Sequence, residues 1–207
     1  MTELAVNTPD HIAPSADGHI HVTNTGISNE KLAMWSFLGS ECLLFGGLIS
    51  TFLLYKGRAA GGATPHDLYN IVFTSISSFV LLMSSLTMVL AVSAIARGDQ
   101  RAMRIWLATT ALLGTVFISG QVYEFTEFVN EGYGFTHSPA WSAFYTLTGF
   151  HGVHVTLGIV MLLSCLALSA YGKIPNERAE AVEVVGLYWH FVDVVWVLIF
   201  TIVYLIK

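Results

Sequence analysis

Beyond a mixed polar stretch, apolar residues fill the chain in five long blocks. The first runs from Leu32 to Tyr55 and is broken only by Glu41. The second, Leu68 to Ala96, holds no charge. The third runs from Ile105 to about Tyr123 and ends at Glu124 and Glu127. The fourth, about Pro139 to Tyr171, contains His151 and His154, and the fifth, Val184 to Ile206, contains His190 and Asp193. A helix needs about 20 residues to cross a hydrocarbon core, whereas a barrel strand needs about ten with alternating polarity. The blocks therefore predict an all-α integral membrane bundle of five transmembrane helices, over about 31–56, 68–96, 104–128, 139–171 and 183–206. Ser138-Pro139 is a fitting start for the fourth, a hydroxyl cap followed by proline in the first turn. Residues 1–30, "MTELAVNTPDHIAPSADGHIHVTNTGISNE", have neither a basic start nor an apolar core. They read as a flexible polar tail and not as a signal peptide.

Composition agrees with lipid as the main solvent. Of 207 residues, 54% are hydrophobic and 11% charged, against about 25% charged in a soluble domain. Residues 31–207 count as one membrane domain. The net charge of −5 comes without a basic block, which excludes a nucleic-acid surface. Lys31, Arg97, Arg101, Arg104, Lys173 and Arg178 fall on the side of the N-terminus, and Lys56, Arg58 and Lys207 on the other. That bias predicts a cytoplasmic N-terminus and an outside C-terminus. Cys42 and Cys165 lie far apart without metal-type spacing and read as structural thiols. His11, His19 and His21 read as part of a solvated tail and not as a metal site.

The polar residues inside the blocks are the candidate chemistry. At 1.5 Å per residue, Glu41 lies roughly 14 Å into its helix, near the middle of a core about 30 Å thick. Asp193 lies at similar depth, and His151 and His154 are mid-helix too. Glu124 is expected at the outer end of the third helix. His190 and Asp193 share a face, as do His151 and His154. Trp189 and Trp196 share another face of the fifth helix. Two stripes of small residues, Gly149 with Gly152 and Ser36, Ser40, Gly47 and Thr51, predict close helix packing. An ionisable group at mid-membrane is costly unless neutralised or paired. His190 and Asp193 are therefore expected in an interior polar cluster, with His151 or His154 as partners. Glu41, flanked by Phe37, Leu38, Phe45 and Leu48, is expected to be a neutral acid or a slowly exchanging proton site.

Three readings of these residues stay open on chemistry alone. Opposed histidines suit a haem with two axial imidazoles. Glu41 and Asp193 suit a proton or ion pathway. A structural polar cluster is the default. A di-metal site would want paired glutamates and Glu-x-x-His, and His190-x-x-Asp193 has the reverse order. A free-standing haem cytochrome would hold haem alone; a proton-coupled transporter would show inverted repeats or broken helices, and neither is evident.

Four stretches shift that balance: "SECLLFGG" (Ser40–Gly47), "GQVYEF" (Gly120–Phe125), "TGFHGVHVTLG" (Thr148–Gly158) and "YWHFVDVVW" (Tyr188–Trp196). In this order they resemble the signature stretches of subunit III of haem-copper terminal oxidases, over roughly Lys31 to Ile206. The tail before Lys31 has no part in the likeness. The resemblance implies a non-catalytic subunit of an aerobic respiratory complex in the bacterial cell membrane. It implies no catalytic centre, haem or copper in this chain, with both cofactors in partner subunits. The partners implied are subunit I, as the main contact, subunit II and membrane phospholipid. The subunit would support the stability and proton uptake of subunit I, which reduces oxygen and pumps protons. Glu41 matches the family's carbodiimide-reactive intramembrane acid, and His151, His154, His190 and Asp193 match internal packing and hydrogen-bonding residues. Many members have seven helices splayed around lipid; this chain resembles the shorter five-helix form, so lipid is expected between it and its neighbours. "TGFHGVHV" looks more like the cytochrome c branch than the quinol branch.

Overall fold

The computed structural model describes residues 28–56, 71–171 and 179–205. Among them it is wholly helical: α1 (Asn29–Lys56), α2 (Ile71–Ala96), α3 (Gln100–Asn130), α4 (Pro139–Ala170) and α5 (Ala179–Phe200). A short π-helical turn, Thr201–Leu205, continues α5. All five are long and apolar enough to cross a membrane. Residues 1–27 of the tail, with its three histidines, lie outside the described residues, and Asn29 and Glu30 already belong to α1.

Local chemistry sets several helix ends. Asp99 caps α3 by accepting from the Ala102 amide (2.9 Å). Ser138 caps α4 at the Trp141 amide, with Pro139 in the first turn. Between α2 and α3 the chain reverses through Arg97-Gly98-Asp99, and Gly98 takes a φ of 77°, a conformation that costs a glycine little. Arg104 of α3 donates to the Ser169 hydroxyl (2.9 Å) and carbonyl (2.8 Å). It thus neutralises carbonyl charge at the last turn of α4.

Helices α2, α3, α4 and α5 form a closed ring of neighbours, and α1 lies against α4 and α5. Trp141, Trp189, Trp196, Phe117 and Phe144 are fully buried in the ring. Val72, Ile76, Phe79, Leu82 and Leu86 of α2 point outward, as lipid-facing side chains do.

The closest helix contacts are not on the expected stripes. Ser36, Ser40, Gly47 and Thr51 are exposed in this chain. Ser40 and Thr51 turn their hydroxyls onto their own helix, at Phe37 O and Gly47 O. A Cβ on Gly149 would meet nothing within 4 Å, whereas one on Gly152 would come within 3.0 Å of the Gln121 amide oxygen, with Gln121 Cδ at 3.7 Å and Ile118 Cδ1 at 3.9 Å. Tight packing falls instead at Gly114 and Gly158, where a Cβ would lie 2.6 and 2.8 Å from the Trp189 ring. A bulky aromatic partner, not a second small stripe, decides which glycines are needed.

Candidate functional site

Several polar residues of the motifs join two helices inside the bundle. His154 of α4 is the busiest. Its Nδ1 lies 2.7 Å from the Phe150 carbonyl and its Nε2 3.1 Å from Glu41 Oε2 on α1. A carbonyl only accepts, so Nδ1 must carry a proton. The Nε2–Glu41 contact then holds one further proton, either on the acid or on the imidazole, and the pair is neutral in both forms. Tyr188 of α5 donates to the His154 carbonyl (3.0 Å), and Phe45 of α1 packs edge-on to the imidazole. Three helices therefore meet at one histidine.

The seam between α2 and α5 uses serines. Trp189 Nε1 donates to Ser84 Oγ (3.0 Å) and Trp196 Nε1 to Ser78 Oγ (2.9 Å). His190 Nδ1 lies 2.6 Å from Ser85 Oγ. Between α2 and α3, Thr87 and Thr110 share a hydrogen bond (2.7 Å). Between α3 and α4, Gln121 donates to the Thr148 carbonyl (3.2 Å).

His151 is fully buried, stacked on Trp196 (ring centroids 4.7 Å) and edge-on to Phe117. Neither of its nitrogens, and neither carboxyl oxygen of Asp193, has a hydrogen-bond partner among the described residues.

Two expectations need correction. His190 and Asp193 do not pair with His151 or His154. Shared depth suggested that partnership, but α1 brings Glu41 to His154, and α2 brings Ser85 to His190. Glu124 does not end α3 at the surface. The helix runs on to Asn130, and Glu124 is only 7% exposed. It accepts a hydrogen bond from Thr74 of α2. Phe117, Gln121, Glu124 and Phe128 form one buried stripe at helical spacing, and that spacing is the signal that places Glu124 inside. The serines of α2 carry no such signal, because Ser78, Ser84 and Ser85 differ from their outward neighbours only through what faces them.

Thr74→Val keeps the shape of the side chain and removes the hydroxyl that faces Glu124. An unsatisfied buried acceptor costs about 1–3 kcal/mol. That loss is expected in detergent unfolding of Thr74→Val. Thr126→Val, whose hydroxyl binds only its own helix at Val122 O, should stay near the parent; equal effects would refute the role of Thr74.

His151, His154 and His190 do not fit a haem with two axial imidazoles. His154 is held by Glu41, His190 by Ser85, and His151 lies between two aromatic rings. Among the described residues no three His, Cys, Asp or Glu side chains converge on a metal-sized site.

The chain as a whole is similar to known proteins. The family model described as cytochrome c oxidase subunit III matches residues 15–207. The match begins inside the polar N-terminal segment, which corrects the expectation that the likeness starts at Lys31 and leaves out the tail before it. The cytochrome c oxidase subunit 3 of Bacillus sp. (strain PS3) is 42% identical over 177 residues, 86% of each chain. The quinol oxidase subunit 3 of Bacillus subtilis (strain 168) is 40% identical over 174 residues, 84% of this chain and 85% of its own. The cytochrome bo(3) ubiquinol oxidase subunit 3 of Pseudomonas putida is 36% identical over 176 residues, 84% of each chain.

Proposed function

Because the chain belongs to the cytochrome c oxidase subunit III family, we propose that it is the non-catalytic third subunit of a proton-pumping haem-copper oxidase in the bacterial cell membrane. It packs on subunit I and supports that subunit's stability and proton uptake. Subunit II is a further neighbour, and phospholipid fills the spaces between subunits. Haem and copper belong to the partner subunits. The N-terminus faces the cytoplasm: Lys31, Arg97, Arg101 and Arg104 cluster at one end of the helices, as the distribution of cations across a membrane requires.

One observation carries this reading: each of the four signature motifs supplies a polar side chain that binds a neighbouring helix. Glu41, Gln121, His154 and Tyr188 are all spent on joining helices. Such a set builds a rigid body to pack against a catalytic neighbour. Glu41 is in this reading the protonatable group of the midplane, shared with His154.

Subunits named for both electron donors match at similar identity, 42% and 40%. That is the expected result if the donor docks on other subunits, and cytochrome c and quinol forms are both consistent with this chain.

Gentle detergent purification from native membranes tests the reading. Larger partners carrying haem and copper spectra are expected to copurify, and the chain isolated alone is expected to be colourless. A stoichiometric haem on the isolated chain would overturn the assignment.

A further inference from the structure

A cleft of about 500 Å³ lies between α1, α2 and α5. Lys31 near the start of α1, Ala96 at the end of α2 and Glu183 near the start of α5 all line it, so it opens at the end of the bundle where α1 begins. Lys31 and Glu183 stand at its mouth as a partly exposed ion pair (2.7 Å). Its walls are apolar, with Val89, Val92 and Leu187, and His190 reaches it from two turns deeper along α5.

Behind His190 the polar atoms continue inward. His190 Nδ1 touches Ser85 Oγ at 2.6 Å. The Ser85 hydroxyl lies near enough to the Asp193 carboxyl to act on it, though not in a hydrogen bond of ordinary geometry. Asp193 is 3% exposed, and neither of its oxygens makes a hydrogen bond of ordinary geometry with any described residue. A carboxyl left so at this depth is costly. Nothing in the packing of α5 requires it, since Trp189 and Trp196 already tie the helix to α2.

We propose that this cleft is a one-sided proton-access route ending at Asp193, with His190 and Ser85 as the relay. A hydronium ion in the cleft gives its proton to Nε2 of neutral His190. The Nδ1 proton passes to Ser85 Oγ while the serine's own hydroxyl proton passes to an Asp193 oxygen. Water, a neutral imidazole protonated at Nε2, a serine hydroxyl and a carboxylic acid remain, and the reverse sequence returns the proton. Asp193 is then a dead-end proton store loaded from one side of the membrane.

The charged and titratable surroundings suit that direction. On α1 they are Lys31, at the mouth, and Glu41, held by His154. On α4 they are His151, which has no hydrogen-bond partner among the described residues, and His154. On α5 they are Glu183 and Tyr188, the second committed to the His154 carbonyl. The described span of α2 holds no titratable side chain at all, so Ser85 is the link it offers. The relay does not depend on which subunits the chain joins.

The test is infrared difference spectroscopy on the intact complex after a pH step, in H2O and in D2O. A protonated-carboxyl band that follows pH, shifts in D2O and disappears in Asp193→Asn is expected. Ser85→Ala should keep that band and slow its response about tenfold or more, and His190→Gln should do the same. The idea is overturned if no such band separates the parent from Asp193→Asn. It is also overturned if Ser85→Ala responds as fast as the parent, as it would were the cleft filled by an acyl chain and the proton to arrive elsewhere. Should Asp193→Asn fail to assemble, the comparison of Ser85→Ala with the parent decides alone, because it leaves Asp193 in place.

Discussion

Gly158→Val is expected to unseat Trp189 and to release α5 from its neighbours. The Trp189 ring is fully buried between Gly158 of α4 and Gly114 of α3. A single Cβ at Gly158 would already lie 2.8 Å from ring carbon, with a second ring carbon at 2.9 Å. Valine adds two methyl groups to that clash. The indole has nowhere to retreat, because its Nε1 is tied to Ser84 on the far side. Overpacking of this kind costs about 1–3 kcal/mol when side chains can adjust and more when they cannot. A loss of about 3 kcal/mol or more is expected in detergent unfolding of the isolated chain, with loss of the Trp189–Ser84 hydrogen bond. Gly149→Val is the control, since a Cβ there meets nothing. If both valines cost the same, the tight contact at Trp189 does not organise the bundle.

The contrast between these two glycines marks what a single sequence can convey. Hydropathy places five helices, because length and apolar continuity are properties of each segment alone. The Ser138-Pro139 cap is legible for the same reason: it is local. Gly149 and Gly152 form as good a small-residue stripe as any, yet the glycines that matter are Gly114 and Gly158, chosen by a tryptophan on a third helix. The same limit governs the polar seam. Depth along each helix puts Glu41, His151, His154 and Asp193 near one level, but depth says nothing about which helix is adjacent. The pairing of α1 with α4 gives His154 to Glu41 and withholds it from Asp193. Glu124 shows the opposite error. Charge near the end of an apolar block suggested a surface, although its spacing from Phe117, Gln121 and Phe128 already put it on the buried stripe.

His154→Ala is expected to be among the most damaging polar changes in the chain, and the pattern of companion variants reveals where the shared proton sits. The Glu41 and His154 side chains are 13% and 10% exposed. Removing one partner leaves the other buried without its hydrogen bond, at about 1–3 kcal/mol for an uncharged pair and about 3–5 kcal/mol for an ion pair, whereas replacing both by apolar groups is often neutral or better. Detergent unfolding should therefore show His154→Ala and Glu41→Ala each strongly destabilised, and Glu41→Leu with His154→Leu less damaged than the sum of the two alanine variants. Additive losses would mean that the pair does not couple α1 to α4. Glu41→Gln separates the two forms of the pair. With Nδ1 protonated toward Phe150, Nε2 of neutral His154 is an acceptor, and a glutamine amide can donate to it just as a neutral carboxyl does. If Glu41 is the proton's home, glutamine should cost less than about 1 kcal/mol, the net worth of an ordinary hydrogen bond. If the proton sits on His154 as an ion pair, glutamine removes the counter-charge at mid-membrane and should cost nearly as much as alanine. The apolar surroundings at Phe37, Leu38, Phe45 and Leu48 favour the uncharged form, so near-parental stability of Glu41→Gln is the expected outcome.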